Sequence, residues 1–149
     1  MDLDNRAWKL GGGYKFGNAK LGLIYENIKL SDAAGGFDMK RNAWYLNGMY
    51  TMGNVDLKAA YGNAGDVKTS AGTLSDSGAK TYSLGADYNM SKRTKVYALY
   101  TKTKNDTNAS YGVGAGQGSS YVPNNNTSGT FGNTGDDPSV LSVGVRHSF

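Results

Sequence analysis

The chain has 149 residues, among them 22 Gly, 11 Tyr, a single Glu, a single His and no Cys, and its formal net charge is +4. The absence of cysteine excludes a disulfide scaffold and a cysteine-ligated metal site. Basic residues are scattered singly apart from Lys40-Arg41 and Lys92-Arg93, which argues against a nucleic-acid surface. No stretch reaches the 18 apolar residues of a membrane helix, although alternating barrel strands would keep the hydropathy equally low.

An internal repeat occupies most of the first hundred residues. Residues 8–18 match residues 44–54 and residues 82–92, at offsets of 36 and 38. Each copy alternates apolar and small or polar residues, passes through a tight turn and continues into a second alternating stretch. The repeat therefore predicts three β-hairpins. With the last ten residues, the predicted strands are 5–16, 19–30, 41–52, 55–65, 79–90, 94–104 and 139–149, and the predicted long connections are 31–40, 66–78 and 105–138.

Aromatic residues mark both ends of the apolar face of these strands. From Trp8 to Phe16 the strand is about 26 Å long at ~3.3 Å per residue, which becomes roughly 20 Å of height in a tilted barrel wall. Two aromatic rows one apolar band apart are typical of a membrane-spanning barrel. The predicted interface aromatics are Trp8, Tyr14, Phe16, Tyr25, Trp44, Tyr50, Tyr61, Tyr82, Tyr88, Tyr100 and Phe149.

A soluble sandwich or a lipocalin-like barrel, with the apolar face turned inward, is the alternative. The alternation of very short and long connections favours an outer-membrane barrel instead, because such barrels have short turns at one rim and long loops at the other. The opposite face is rich in Gly and Lys, as a water-filled lumen would be.

The residues that alternate with the apolar ones along each strand are predicted to line the lumen. Six basic and three acidic side chains leave this wall a net charge of +3, which predicts a weak preference for anions; the alternative is that dispersed charges give little selectivity. The register of 19–30 and 94–104 is open, because Ile24, Ile28, Tyr97 and Leu99 fall on the charged side and indicate either a subunit contact or a shifted register. The predicted pore-lining residues are Lys9, Lys15, Lys20, Glu26, Asp56, Lys58, Asp87, Lys95 and Arg146.

Residues 105–138 are dominated by Asn, Gly, Ser and Thr and predict a long, flexible extracellular loop. No enzyme is predicted. The only His, His147, falls on the apolar face, and the only Glu, Glu26, has no paired carboxylate, so a nucleophile–base system is not assembled. The sequence predicts no catalytic residue, no metal site and no cofactor.

The final strand ends the sequence on an aromatic residue. Leu141, Val143, Val145, His147 and Phe149 share one face, and the string Gly144-Val-Arg-His-Ser-Phe149 resembles the closing strand of Gram-negative outer-membrane general porins of betaproteobacterial type. The resemblance implies that those five residues are the signal read by the barrel assembly machinery. It further implies an outer-membrane location, contact with lipid and lipopolysaccharide, a homotrimer and a barrel of about sixteen strands.

Seven strands is an odd number, whereas single-chain bacterial barrels have an even number. The predicted fold is thus an all-β antiparallel transmembrane barrel, a meander of hairpins, whose seven strands here are the last ones of a larger barrel; completion by other chains is the alternative. The predicted function is passive diffusion of small hydrophilic solutes and ions. The alternative is a non-conducting structural or adhesive surface barrel.

Overall fold

The computed structural model describes residues 3–32, 37–113 and 134–149. In these residues nine strands form one antiparallel sheet, and every long strand pairs with its neighbours along the chain, which confirms the predicted all-β meander. The long strands are β1 (Leu3–Phe16), β2 (Ala19–Asp32), β3 (Phe37–Met52), β4 (Val55–Ala64), β7 (Ala79–Asn89), β8 (Thr94–Asn105) and β9 (Ser139–His147); the short ones are β5 (Val67–Thr69) and β6 (Gly72–Leu74).

The turns at one end of the sheet are short. Gly17 and Gly53 each open a two-residue turn with a positive φ, 54° and 59°. A glycine at the first turn position suits the type II′ hairpin, whose twist matches that of the flanking strands. In the third turn the Ser91 hydroxyl accepts hydrogen bonds from the backbone N–H groups of Arg93 and Thr94. These turns match the ones that the repeat predicts.

At the other end the structure corrects two predicted connections. The connection predicted at 31–40 is only residues 33–36, because the β2–β3 ladder continues as far as the pair of Asp32 and Phe37. The connection predicted at 66–78 contains the hairpin of β5 and β6. Since β4 ends at Ala64 while β3 extends further, β5 pairs with Met39 and Lys40 and supplies the backbone partners that β4 does not.

Two smaller differences concern the last strands. Asn105, expected in the loop, is the final residue of β8, and β9 ends at His147, so Phe149 lies just beyond the strand. The backbone N–H of Ser148 still donates to the carbonyl of Arg93, which holds the end of the chain beside the third turn.

The register is continuous across all seven long strands. Ile24 pairs with Gly11 and Tyr45, and Leu99 pairs with Gly85 and Ser142, each within an unbroken ladder. A one-residue slip would move every side chain of a strand to the other face, and no slip occurs in these ladders. The apolar residues Ile24, Ile28, Tyr97 and Leu99 therefore lie on the charged side without any error of register.

The sheet has almost no interior. Among the described residues, the buried apolar side chains are Val67, Ala79, Ala109 and Tyr111, whereas Leu10, Tyr14 and Leu84 are 69%, 72% and 62% exposed. A soluble domain rarely exposes so many large apolar side chains to water. No helix in the described part of the chain is long and apolar enough to cross a membrane.

Candidate functional site

All nine predicted lumen residues lie on one face of the sheet, which we call the charged face. The register pairs Lys9 with Glu26, Lys15 with Lys20, Asp56 with Asp87, and Lys95 with Arg146. Since directly paired residues of neighbouring strands project from the same side, strand pairing extends this face from β1 to β9. Lys58, which pairs with Met49 and Gly85, completes the set.

A network of four charges lies on the charged face near the short turns. The Asp87 carboxylate accepts hydrogen bonds from the ammonium groups of Lys58 at 2.6 Å and Lys95 at 3.1 Å. Asp56, directly opposite Asp87 in the register, accepts from the Thr51 hydroxyl at 2.7 Å and the Asn89 amide at 3.0 Å. These two acids and two lysines leave no net charge, so the network as a group is neutral.

The excess positive charge of the face lies beside this network, since Arg146 pairs directly with Lys95, and Lys15 and Lys20 flank the first short turn. Lys9 and Glu26 form an ion pair at 2.5 Å between N and O. Within the described residues, Lys15, Lys20 and Arg146 form no ion pair. Lys15 and Lys20 are exposed and directly paired across β1 and β2, so their repulsion is relieved only by solvent. These three side chains account for the net +3 of the nine residues.

Large side chains of the charged face lie flat against glycines of the neighbouring strand. The ring of Tyr45 lies across Gly62, and the side chain of Leu99 across Gly85, where an added methyl group would meet these side chains at 3.2 and 3.3 Å. Tyr97 covers Gly144 in the same way. The glycines thus accept bulky neighbours alongside the wall and keep the space in front of it open.

We expect Gly144→Ala to disturb this arrangement. Its methyl group would lie 2.6 Å from the Tyr97 hydroxyl oxygen, so the ring must lift away from the wall. Overpacking of this kind costs about 1–3 kcal/mol in the free energy of unfolding, which denaturant unfolding in detergent or lipid measures. Gly12→Ala is the matched control, because nothing lies within 4 Å of its added methyl group. Equal stability of the two variants would contradict the packing role of Gly144.

A segment beyond β8 folds over the charged face at the end with the longer connections. The Asn105 amide group makes two hydrogen bonds with the backbone of Tyr111, and the Tyr111 hydroxyl accepts one from Arg41 of β3 at 2.9 Å. Ala109 and Tyr111 pack with Ala79 as a small cluster, and Ala109 is fully buried. Residues 106–113, which the sequence predicts as part of a flexible loop, are packed on the wall, because both their polar and their apolar groups contact it. The rest of that predicted loop, residues 114–133, lies outside the described residues.

Sequence reasoning missed Arg41 and Tyr111. Arg41 is the first residue of the predicted strand 41–52, and its parity places it on the charged face, opposite Ile28, so the alternation already contained this signal. Nothing local distinguishes Tyr111 within a polar loop. Its role depends on a contact between residues 70 positions apart.

The apolar face carries the predicted aromatics in two groups. Toward the longer connections, Trp8 contacts Tyr25 at a ring-centre distance of 5.4 Å, and Tyr61 contacts both Trp44 and Tyr82 at 5.0 and 5.1 Å. Toward the short turns, the other predicted residues are Tyr14, Phe16, Tyr50, Tyr88 and Phe149; Tyr14 stacks on Phe16, and His147 meets Phe149 edge-on. Tyr100 lies between Leu84 and Leu141 on the same face. Leu141, Val143 and Val145 are all exposed there.

Comparison with known proteins gives a consistent result. The family model described as Gram-negative porin matches residues 1–108. Among solved structures, outer-membrane expressed OmpT of Vibrio cholerae matches with a TM-score of 0.70 at 20% sequence identity, covering 97% of this chain and 41% of that one. The chain thus spans about two fifths of that porin's length, and at this identity the likeness concerns the fold, a partial porin barrel. No curated protein matches the chain.

Proposed function

Because the chain belongs to the Gram-negative porin family, which is an outer-membrane and non-enzymatic family, we propose that it forms part of the wall of a water-filled channel. Small hydrophilic solutes and ions diffuse passively through such a channel. The observation that supports this function is the separation of the two faces: charged groups occupy one side of an unbroken seven-strand sheet, and exposed apolar groups occupy the other. The barrel has about sixteen strands in this proposal, and the seven long strands form part of it.

The apolar face contacts lipid in this arrangement. Between its two aromatic groups the face carries no Asp, Glu, Lys or Arg among the described residues, as an apolar band of lipid requires. The aromatic rings lie at the two membrane–water interfaces, where their amphipathic character suits them. The ends with short turns face the periplasm in this arrangement, and the ends with the longer connections face outward.

The charged face lines the lumen and gives it a weak preference for anions. The lysine–aspartate network near the short turns is neutral, so Lys15, Lys20 and Arg146 dominate the field that a passing ion meets. At the outer end of the channel, residues 106–113 and the Arg41–Tyr111 contact occupy space in front of the wall. They therefore narrow the channel entrance.

Three further properties rest on the resemblance and on the family. The string Gly144-Val-Arg-His-Ser-Phe149 supports membership in the betaproteobacterial type. Exposed, aligned apolar residues at Leu141, Val143 and Val145, with His147 and Phe149 beyond them, support a signal for the barrel assembly machinery. Porins of this family are typically trimeric, which supports a homotrimer.

Conductance of the intact protein in a planar phospholipid bilayer tests the function. We expect stepwise, ohmic current increases as single proteins insert, because a wet lumen conducts without a conformational cycle. A folded, bilayer-inserted protein that gives no current would contradict the channel and favour the non-conducting adhesive barrel instead. Insertion is verified independently by protection of the strands from added protease.

A further inference from the structure

A recess lies in the charged face where β3, β4, β7 and β8 run side by side. Large residues of the two outer strands, β3 and β8, form its walls, and small residues of the two inner strands, β4 and β7, form its floor. The wall residues are Tyr45, Met49 and Leu99, and the floor residues are Ala60, Ser83 and Gly85. The recess has a volume of about 360 Å³, which is enough for a small organic molecule.

The walls of the recess are apolar although this face meets water in the proposed channel. Tyr45 and Leu99 are each 39% exposed, so no described segment covers them fully. Apolar surface in water is stabilised when an apolar partner covers it. An aromatic ring attracts another ring in an offset or edge-on arrangement, and the thioether of Met49 also contacts aromatic rings favourably. The walls therefore favour a planar apolar ring as the occupant.

The end of the recess toward the short turns is cationic. Lys58 lines it, and its ammonium group donates to the Asp87 carboxylate at 2.6 Å. An ammonium group has three donors, so this contact does not exhaust it. Met49 pairs directly with Lys20 on one side and with Lys58 on the other. Two ammonium groups thus flank the apolar wall, and both would attract a carboxylate at this end.

The floor of the recess supplies a further hydrogen-bond donor. The hydroxyl oxygens of Ser83 and Thr101 lie 3.0 Å apart, and such a pair uses one of its two protons for the bond between them. The second proton can be donated to an acceptor oxygen in front of the floor. Apolar walls with a few convergent polar groups are typical of a small-molecule site.

We propose that this recess binds a carboxylate that carries a planar apolar ring and retains it during its passage along the wall. The proposal rests on the proposed function, since the channel gives a solute access to the charged face, and it names the solute class that this part of the wall favours. A small anion without a ring has no group that contacts the walls. A neutral ring compound has no charge that the ammonium groups attract, so both should bind more weakly.

Benzoate is the probe for this site, and acetate and benzamide are matched compounds that lack the ring or the charge. The chloride current of the intact protein in a planar bilayer is recorded as each compound is added, and the concentration dependence of the current reduction gives an apparent dissociation constant. Ala60→Leu fills the floor of the recess. Ala7→Leu is the control, because it adds the same side chain to the charged face of β1, opposite Ile28 and outside the recess.

We expect benzoate to reduce the wild-type current at concentrations about tenfold lower than acetate or benzamide, because only benzoate uses both the walls and the charge. Ala60→Leu should weaken benzoate binding about tenfold, whereas Ala7→Leu should leave it unchanged. Lys58→Gln should reduce the affinity for benzoate to that for benzamide. Equal effects of benzoate and acetate on the wild type would overturn the proposal. Wild-type affinity in Ala60→Leu would do the same, and would mean that another part of the barrel covers the recess.

Binding is also measured without a current, by the broadening of the benzoate proton NMR signals when the protein in detergent is added. A wild-type protein that does not conduct would refute the channel, and the NMR result then tests the recess by itself. Loss of the broadening in Ala60→Leu but not in Ala7→Leu supports the site, and equal broadening in both overturns it. If Ala60→Leu does not fold, Tyr45→Ala, which removes the ring from the wall, takes its place and is judged in the same way.

Discussion

Ala59→Arg is expected to destabilise the protein in a lipid bilayer by about 2–4 kcal/mol, the cost of a cationic side chain facing lipid near the bilayer midplane. Ala59 is exposed on the apolar face in the middle of β4, between Gly48 and Leu84. An arginine there has no carboxylate beside it and lies between the two aromatic groups, two residues from Tyr61. Denaturant unfolding in phospholipid vesicles, followed by tryptophan fluorescence, measures the change.

The next residue provides the matched control. Ala60 projects from the charged face, between Asn47 and Ser83. Ala60→Arg introduces the same side chain on the same strand but into water, so we expect a change within about 1 kcal/mol. If Ala60→Arg were the more damaging of the two, the charged face would be the one closed off from water, and the membrane assignment of the faces would be wrong.

Reversing the charges of Lys15 and Lys20 is expected to convert the anion preference into a cation preference. The double variant Lys15→Glu with Lys20→Glu takes the nine predicted lumen residues from +3 to −1. A unit charge at about 8 Å in water changes the energy of a monovalent ion by about 0.5 kcal/mol. Four units therefore change it by about 2 kcal/mol before screening, which acts over about 10 Å at 0.1 M salt.

The reversal potential in a potassium chloride gradient reports this change directly. Lys80→Glu with Lys104→Glu is the control, because this is also a directly paired couple of lysines but on the other face. In a neutral phospholipid bilayer it should leave the reversal potential at its wild-type value. An unchanged reversal potential in the Lys15 and Lys20 variant would mean that the wall charges are too dispersed to select ions.

The strands, their faces and the short turns could be predicted because each depends on neighbouring residues. Alternation has a period of two, and a two-residue turn beginning at Gly17 fixes the partner of every residue in β1. The ion pair of Lys9 with Glu26 follows from that register alone. For the same reason, the placement of Ile24 and Leu99 on the charged face was visible in the pattern before the ladder fixed it.

Contacts between distant elements could not be predicted. The contacts of Asp87 with Lys58 and Lys95 require that β4 pair with β7. The hairpin of β5 and β6 separates these two strands along the chain, and no clear alternation in the sequence predicts that hairpin. Arg41 and Tyr111 meet only because residues 106–113 turn back over the wall. A polar loop sequence is compatible with many paths, and packing chooses among them.

The strict pairing of each long strand with its chain neighbours has an evolutionary consequence. The repeated unit, one hairpin of 36 or 38 residues, begins and ends on the same side of the membrane. Duplication of one unit in the gene would add two strands, widen the wall by about 9.5 Å and leave every existing pair and both faces unaltered. Barrels of different circumference can therefore descend from one another by gain or loss of whole hairpins, whereas the gain of a single strand would send the rest of the chain out of the opposite side.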